Sequence, residues 1–388
     1  MKAASTPGYG CIAEQLFKNG LGNRIGFALA DSFDADRLFV PAYGSLILEV
    51  SEDVQAGELL GTTTEEYTMK IGAEVLDMAQ LQEAWESKLE PVMPYRICKG
   101  EEKQPVISHA ATSRVAPKIG IARPHALIPV FPGTNCEYDT ARALERAGAE
   151  AEIFVINNLT PAAVAESCAA LCRSIEKSQI VMLPGGFSGG DEPDGSAKFI
   201  TAFFRAPAVK DAVHDLLKNR DGLMLGICNG FQALVKLGLV PFGEIRDMDE
   251  NCPTLTFNTI GRHQSMLVQT RIASNKSPWF SRMNVDDIHT IAISHGEGRF
   301  VAPEAVLKQL AENGQIAAQY VDLMGNPTMD TRFNPNASMW AIEAITSPDG
   351  RVLGKMGHTE RSGDNLYKNV PGNKYQPLFE GGVDYFKL

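Results

Sequence analysis

From His125 onward, short apolar runs alternate with longer stretches in which apolar residues recur every three or four positions. Short apolar runs bounded by turn residues are typical of buried strands, and the longer period is typical of amphipathic helices. The predicted strands are 126–131, 152–156, 180–183 and 223–227, and the predicted helices are 136–148, 161–175, 197–204, 208–219 and 230–237. This β-α-β alternation predicts an α/β fold with a mainly parallel sheet and helices on both faces.

Beyond residue 255 strand patterns dominate the chain. They lie at 266–270, 290–293, 316–321, 340–345 and 351–356. We therefore assign 125–388 to one large α/β domain.

The first 96 residues have a different, mixed pattern. Residues 37–50 are typical of a strand, a turn and a second strand, and 71–89 are typical of a helix. Residues 97–124 are rich in Lys, Ser, Ala and Pro without a clean period, which is typical of a linker. The predicted organisation is thus a smaller α+β segment (1–96), a linker (97–124) and the α/β domain (125–388).

Composition and charge exclude several classes of function. The net charge of −11 argues against a broad nucleic-acid surface, which needs clustered Lys and Arg. No apolar run is long enough to cross a membrane, and the N-terminus lacks a signal-peptide core, so we expect a cytoplasmic protein with no membrane partner. The seven cysteines have no paired zinc-ligand spacing, so no metal site is predicted.

The pentapeptide Gly226-Ile227-Cys228-Asn229-Gly230 lies between a predicted strand and a predicted helix. A nucleophile between two glycines at such a turn is the pattern of a nucleophile elbow, which exposes the side chain at the carboxyl end of a sheet. The N-terminus of the following helix favours a thiolate, and its N–H groups, that of Asn229 first, can hold an oxyanion. The alternative is a buried structural thiol beside a tight turn.

A thiol nucleophile needs a base and a group that orients the base. Two segments offer a histidine with an acid two positions later, His358-Thr359-Glu360 and His295-Gly296-Glu297. Each follows a predicted strand, and either pair could equally be a polar pair on the surface. Spacing alone does not choose between them.

A glycine-rich turn closes the strand at 180–183 and runs to Asp191. Its first residues, Gly185, Gly186 and Phe187, could supply the second donor of an oxyanion hole. The turn lacks the Lys-Ser/Thr ending of a phosphate-binding P-loop. The remaining alternative is a plain loop that uses glycine for turn geometry.

Taken together, these motifs resemble those of the triad, or class I, glutamine amidotransferases, whose fold is flavodoxin-like. Their elbow G-x-C-x-G-x-Q matches 226–232, and the resemblance implies that Gln232 contacts the substrate glutamine. Their H-P-E motif matches His358 and Glu360, with Thr359 in place of proline. Their glutamine-binding loop matches Ser294, His295, Gly296 and Glu297, which favours His358 as the base.

A closer resemblance is to the glutaminase domain of phosphoribosylformylglycinamidine synthases of the large single-chain type. The segments that carry it are LPGGFSGGD (183–191), FPGTNCEYDTARA (131–143), SHGEGRF (294–300) and GHTERSGDNLYKNVPGN (357–373). GNRIGFAL (22–29) and LFVPAYGSLILEV (38–50) resemble the end of an aminoimidazole-ribonucleotide-synthetase-like domain.

This resemblance implies glutamine hydrolysis without a cofactor in the glutaminase domain, with the ammonia passed to a synthetase portion. That portion would use ATP and Mg²⁺ to amidate formylglycinamide ribonucleotide in purine biosynthesis. Most of it is absent from this chain, so we expect a fragment or split subunit whose first 96 residues carry an unpaired strand edge that favours self-association.

Two other functions remain open at the level of sequence. One is a cysteine hydrolase of the same architecture, of the peptidase or deglycase kind, in which glutamine would not protect Cys228 from alkylation. The other is a docking module whose glutaminase is silent without its partner. Glutamine hydrolysis measured with and without the missing portion distinguishes these alternatives.

Overall fold

The computed structural model describes residues 1–51, 57–92, 103–118, 120–188, 196–363 and 365–387. The chain divides into two compact units, Met1–Tyr95 and Arg96–Leu388. Within the described ranges no helix is both long and apolar enough to span a membrane.

The first unit consists of two small sheets and two helices around its own apolar core. Its strands are β1 (Ala3–Ser5), β2 (Gly26–Leu29), β3 (Ile47–Glu49), β4 (Gly61–Thr64), β5 (Thr68–Ile71) and β6 (Glu74–Asp77), and its helices are α1 (Cys11–Leu21) and α2 (Met78–Glu86). β1 pairs with β3, and the four-stranded sheet has the order β4-β2-β5-β6. Leu16, Phe17, Leu38, Met69 and Met78 are among the residues that form the core.

Two predictions for this unit are wrong. The first strand expected in 37–50 is a 3₁₀ helix, Ala35–Phe39, because the Asp34 side chain accepts a hydrogen bond from the Asp36 N–H and caps it. The helix expected over 71–89 begins only at Met78. The first seven residues of the predicted helix, 71–77, instead form the turn and returning strand of a hairpin, since Gly72 adopts φ +57° and β6 pairs with β5.

The second unit is built on a nine-stranded sheet. Its strands are β7 (His125–Val130), β8 (Glu150–Val155), β9 (Ile180–Leu183), β10 (Leu223–Ile227), β11 (Thr254–Thr256), β12 (Gln264–Ile272), β13 (Ile288–His295), β14 (Arg299–Val301), β15 (Ile316–Val321), β16 (Ile342–Thr346) and β17 (Val352–Lys355). The helices are α3 (Glu137–Ala147), α4 (Pro161–Lys177), α5 (Lys198–Phe204), α6 (Pro207–Lys218), α7 (Asn229–Leu237), α8 (Leu239–Phe242), α9 (Glu304–Glu312) and α10 (Leu378–Asp384). Short 3₁₀ helices lie at Pro278–Phe280, Met339–Ala341 and Thr359–Arg361.

The α/β class is confirmed, but the sheet is mixed rather than mainly parallel. Its order is β13-β12-β15-β16-β17-β10-β9-β7-β8, while β11 and β14 pair separately. The pairings from β17 to β8 are parallel, and the four from β13 to β17 are antiparallel. Every residue of β9 and β10 is buried, as expected for central strands covered on both faces.

Residues 103–118 of the predicted linker contain no helix or strand. They belong to the second unit and are hydrogen-bonded to the rest of it. The Arg271 guanidinium donates to the Ile107 carbonyl at 2.7 Å, and the Ala111 N–H donates to the Asn275 side chain at 2.9 Å. Residues 97–102 of the predicted linker lie outside the described ranges.

Four neighbouring parallel strands bring the chemistry of the second unit together. In sheet order these are β17, β10, β9 and β7, and their carboxyl ends lie at one edge of the sheet. His358 follows β17, Cys228 follows β10, Gly185 follows β9, and Cys136 follows β7. Side chains from distant parts of the sequence therefore meet at the edge where ligands bind in open α/β sheets.

Candidate active site

Cys228 occupies a sharp turn between β10 and α7. Its backbone has φ +53° and ψ −107°, outside the regions that a non-glycine residue normally adopts. The flanking glycines are required by space, because a Cβ on Gly230 would lie 2.0 Å from the Leu183 carbonyl oxygen. A Cβ on Gly226 would lie 2.6 Å from the Gly230 carbonyl oxygen. The strained backbone is the geometry of a nucleophile elbow.

The Cys228 side chain is almost enclosed, with 5% of its surface exposed. Its Sγ lies 3.6 Å from the Ser294 carbonyl oxygen, within reach of a weak thiol hydrogen bond. Its N–H donates to the Lys355 carbonyl at 2.9 Å, which fixes the elbow to the end of β17. The thiol is thus held between the loop after β10 and two segments far along the chain.

His358 and Glu360 form a close pair beside this thiol. The His358 Nδ1 lies 2.6 Å from the Glu360 Oε1, and both side chains are buried. A Cβ on Gly185 would lie 2.7 Å from the His358 Cε1 and 3.4 Å from the Cys228 Cβ, so glycine is needed there to let the two approach.

Opposing effects act on the pKa of His358. Burial lowers it, but the charges of Glu360 and Cys228 hold it well above the ordinary value. An imidazole with a raised pKa beside a thiol readily accepts the thiol proton.

His295 is also buried, but it differs from His358 in its hydrogen-bond partners and in the direction of its pKa shift. Its two ring nitrogens are buried and have no hydrogen-bond partner among the described residues. Burial first, and then the charges of His358 and His263, lower the pKa of His295 to about 3. The Glu297 carboxylate does not orient the His295 ring, since the Glu297 Oε2 accepts from the Ser196 N–H at 3.0 Å. His295 is therefore neutral near pH 7.

The amides of Asn229 and Gln232 join α7 to both neighbouring loops. The Asn229 Nδ2 donates to the Gln232 Oε1 at 2.9 Å, and the Asn229 Oδ1 accepts from the Ser188 N–H at 3.2 Å. The Gln232 Nε2 donates to the Glu297 carbonyl at 2.5 Å. The loops that contain Ser188 and Glu297 are thereby fixed to the helix behind the thiol.

The glycine-rich turn after β9 packs against the segment after β7. The Phe187 N–H donates to the Gly133 carbonyl at 2.8 Å, so it already has a partner. The Gly185 carbonyl accepts from the N–H groups of Asn135 and Cys136 at 3.2 and 3.3 Å. Gly186, at φ +151°, lies between these contacts. Gly189, Gly190 and Asp191 of the same motif fall outside the described residues.

The segment 294–297 lies on the other side of the thiol. Its Ser294 hydroxyl is 2.9 Å from the His263 Nε2, and the Gly296 carbonyl accepts from the Asn258 N–H at 2.9 Å. The strand β13, which pairs antiparallel with β12, ends in this segment and places it beside the thiol. The segment therefore lies at the same edge of the sheet as the groups that follow the parallel strands.

The sequence did not single out Cys136, a second thiol at the site. It is buried, and its Sγ lies 3.8 Å from the His358 Nδ1. Donor atoms of Cys136, His358 and Glu360 all lie within 4.8 Å of one another, a group that could hold a metal ion. Its position at the start of α3 was the available signal, but its partner is 222 positions away.

A second feature that the sequence did not indicate is a buried ion pair beneath the His358 turn. Lys355 and Glu343, both fully buried, lie 3.4 Å apart. The Lys355 ammonium donates to the Gly357 carbonyl at 2.7 Å and to the Thr359 hydroxyl at 3.0 Å. The Glu343 Oε1 accepts from the Gly357 N–H at 2.8 Å. The pair therefore binds the Gly357 backbone before His358 and the Thr359 side chain after it.

A comparison with protein families matches residues 123–386 to a family model described as the CobB/CobQ-like glutamine amidotransferase domain. The curated relatives include phosphoribosylformylglycinamidine synthase subunit PurQ of Methanococcus maripaludis strain C7, which is 36% identical over 62% of this chain and 82% of the relative. PurQ of a Synechocystis species is 34% identical over 63% of this chain and 95% of its own length.

Among solved structures, PurLQS from Thermotoga maritima covers 68% of this chain and 100% of the matched chain, at 24% identity and a TM-score of 0.49. The family model covers the part of the chain that carries the elbow and its neighbours. The chain therefore belongs to the glutamine amidotransferase family, as the glutaminase part of phosphoribosylformylglycinamidine synthase.

Proposed function

We propose that Cys228, His358 and Glu360 form the catalytic triad that hydrolyses glutamine. The observation that supports this most strongly is the 2.6 Å contact between the His358 Nδ1 and the Glu360 carboxylate, on a ring that packs beside Cys228 against Gly185. This is the order of nucleophile, base and orienting group that thiol hydrolysis requires.

In the proposed mechanism, the side-chain amide of glutamine lies beside the elbow. His358 takes the thiol proton, and the thiolate attacks the amide carbon to give a tetrahedral intermediate. The N–H of Asn229 at the start of α7 and that of Gly186 hold the oxyanion. Phe187, a third predicted donor, already donates its N–H to Gly133. Removal of one oxyanion donor typically costs about 10²–10³ in rate.

His358 then gives its proton to the departing nitrogen, and ammonia leaves behind a thioester on Cys228. Water attacks the thioester with His358 as base, which releases glutamate and restores the thiol. Glu360 keeps the ring oriented throughout. The loop 294–297, which Gln232 fixes to α7, forms the proposed glutamine-binding side of the site.

We further propose that the ammonia passes to a synthetase partner for the ATP- and Mg²⁺-dependent amidation of formylglycinamide ribonucleotide. The family relationship and the names of the PurQ relatives support this role. We also propose that the first unit is the end of an aminoimidazole-ribonucleotide-synthetase-like domain. Its exposed apolar side chains support a role in contacts with that partner, and they include Phe39, Val40, Tyr43 and Leu46.

The decisive experiment replaces Cys228 with Ala and measures glutamate release from glutamine, with the synthetase partner present. We expect a loss of roughly 10⁴-fold or more in kcat, as for removal of a catalytic nucleophile. Cys172→Ala is the matched control, since Cys172 is a partly buried thiol in α4. Retention of full activity by Cys228→Ala would exclude the mechanism.

A second pair of variants tests the choice of base. His358→Ala should lower kcat as severely as the loss of the nucleophile, because the thiol loses its proton acceptor. His295→Ala should mainly raise KM, because it alters the proposed glutamine loop. If His295→Ala abolished turnover while glutamine still bound, His358 would not be the base.

A further inference from the structure

Cys136 is a buried thiol that the triad does not use. It directly precedes α3, and 1% of its surface is exposed. Its Sγ lies 3.1 Å from the Asn135 Oδ1 and 3.8 Å from the His358 Nδ1. The same ring nitrogen lies 2.6 Å from the Glu360 Oε1. The Cys136 thiol and the Glu360 carboxylate therefore lie beside the same nitrogen of the His358 ring.

We propose that Cys136, His358 and Glu360 bind a thiophilic divalent cation of the Zn²⁺ class, which switches the glutaminase off. One thiolate, one imidazole and one carboxylate form a ligand set that suits tetrahedral Zn²⁺. The inhibitory part of this proposal rests on the proposed triad, whereas cation binding does not.

The observed distances are close to those that a tetrahedral ion requires. With Zn–S of about 2.3 Å and Zn–N of about 2.0 Å, the sulfur and nitrogen ligands should be about 3.5 Å apart. The Cys136 Sγ and the His358 Nδ1 are 3.8 Å apart. The His358 and Glu360 donors must separate from 2.6 Å to about 3.3 Å, because the ion replaces the proton between them.

A further observation points to a missing ligand at this place. The second carboxylate oxygen of Glu360, Oε2, is buried and has no hydrogen-bond partner among the described residues. Buried carboxylate oxygens normally have a partner, since desolvation without one is costly. A cation bound by both oxygens of the Glu360 carboxylate would satisfy this oxygen.

Glu360 also lines a cavity of about 820 Å³, together with Asp139, Arg361 and Tyr367. A cation can reach the carboxylate from this cavity.

Binding changes the protonation of the site in a defined way. The ion displaces the Cys136 thiol proton, so one proton leaves for each ion bound. The neutral ring, with its Nδ1 on the ion, carries its single proton on Nε2 instead of on Nδ1. It can then no longer accept the proton of Cys228, and it no longer has Glu360 to orient it.

Co²⁺, a spectroscopic substitute for Zn²⁺, separates the two thiols of the site. We expect Co²⁺ to give a thiolate-to-metal charge-transfer band with the native chain and also with Cys228→Ser, because Cys136 supplies the thiolate. Cys136→Ser should lose the band, Cys172→Ser should keep it, and added Zn²⁺ should remove it by displacement. This readout needs no turnover, so it does not depend on the glutaminase mechanism.

Inhibition provides the second arm of the experiment. Zn²⁺ should inhibit glutamine hydrolysis, and a chelator should restore it. Cys136→Ser should raise the half-inhibiting Zn²⁺ concentration by about 100-fold, since even loss of an outer-shell partner typically costs roughly 10–100-fold in affinity.

Two results would overturn the proposal. One is a charge-transfer band that survives in Cys136→Ser and disappears in Cys228→Ser, which would place the ion on the nucleophile. The other is the absence of any band in the native chain. A Cys136-dependent band without any inhibition of glutamine hydrolysis by Zn²⁺ would instead contradict the proposed triad and leave the cation site intact.

Discussion

At the scale of single residues, the environment distinguishes two histidines that the sequence presents alike. His358 has a carboxylate at 2.6 Å, whereas both ring nitrogens of His295 are buried without a partner among the described residues. The pKa of His358 is therefore raised, and that of His295 is lowered to about 3. Such opposed shifts support the proposed role of His358 as the base and leave His295 as a neutral ring.

The lowered pKa of His295 predicts a pH-dependent stability. Between the ordinary value of 6.5 and the folded value of about 3, the unfolded chain binds one more proton than the folded chain. This contribution to the unfolding free energy is complete above pH 6.5. It is lost on acidification, by up to about 1.4 kcal/mol per pH unit.

We expect His295→Phe to flatten the profile of unfolding free energy between pH 6.5 and 4, as measured by denaturant titration at each pH. Above pH 7 the profiles of the variant and the native chain should run parallel. Equal slopes in the acidic range would mean that His295 is protonated in the folded state, against the pKa direction stated above.

At the scale of elements, the turn after β17 depends on a substitution that the sequence revealed but could not explain. Thr359 stands where the related triad enzymes have proline, so this turn lacks the rigidity of a proline ring. The Thr359 hydroxyl accepts from the Lys355 ammonium at 3.0 Å and donates to the Gln376 Oε1 at 2.6 Å. Buried hydrogen bonds therefore replace the constraint, and Lys355 is a positioning residue for His358.

Lys355→Met should lower kcat by about 100-fold with little change in KM, since misplacement of a catalytic group by about 1 Å can have that effect. It should also lower the unfolding free energy by about 3–5 kcal/mol, because the Glu343 carboxylate loses its buried partner. Steady-state kinetics and denaturant unfolding measure the two effects separately.

The double variant Lys355→Met/Glu343→Leu distinguishes positioning from stability. It should recover most of the unfolding free energy, because no unpaired charge remains buried. Its kcat should stay low, since the backbone around His358 is still unsupported. Full recovery of kcat would limit the role of Lys355 to stability.

The elements that the sequence predicted best are those whose pattern is purely local. The strands at 180–183, 223–227 and 316–321 have the predicted bounds, because each is a short, mainly apolar run close to turn residues. Strand direction is not encoded in such runs, so the antiparallel half of the sheet was not predicted. The charged Lys355 in β17 gave no sign of burial, since the Glu343 that neutralises it lies in another strand.

The same reasoning explains which parts of the candidate site were predictable. Cys228 was found because both glycines of its elbow lie within two positions of it. His358 was found because its acid is two positions away. Cys136 was missed because its only local signal is its position at the start of α3, and the sheet order β17-β10-β9-β7, which brings it to the ring, is not local.

At the scale of the whole molecule, the first unit carries an unusual apolar surface. Phe39, Tyr43 and Leu46 are each more than 60% exposed, although the unit has its own core. Its four-stranded sheet also ends in β6, where Val75 is 60% exposed. Exposed apolar groups of this size usually mark an interaction surface.

We therefore expect the isolated chain to self-associate with rising concentration, as measured by light scattering. The double substitution Phe39→Asp/Tyr43→Asp should shift association to higher concentration, because it places charge on this surface. Leu323→Asp is the matched control, since Leu323 is 74% exposed in a turn of the second unit. A chain that stays monomeric at high concentration would contradict this expectation.

The order of the four parallel strands also has a consequence for how the protein acquires activity. The ring of His358 contacts a thiol 222 positions earlier, and the elbow lies between them in the sequence. Contacts of such long range form late in folding, since the loop between them must first be closed. During synthesis Cys228 thus emerges well before His358. In the proposed mechanism, glutamine hydrolysis can begin only when β17 has joined the sheet, so the release of ammonia requires the complete fold.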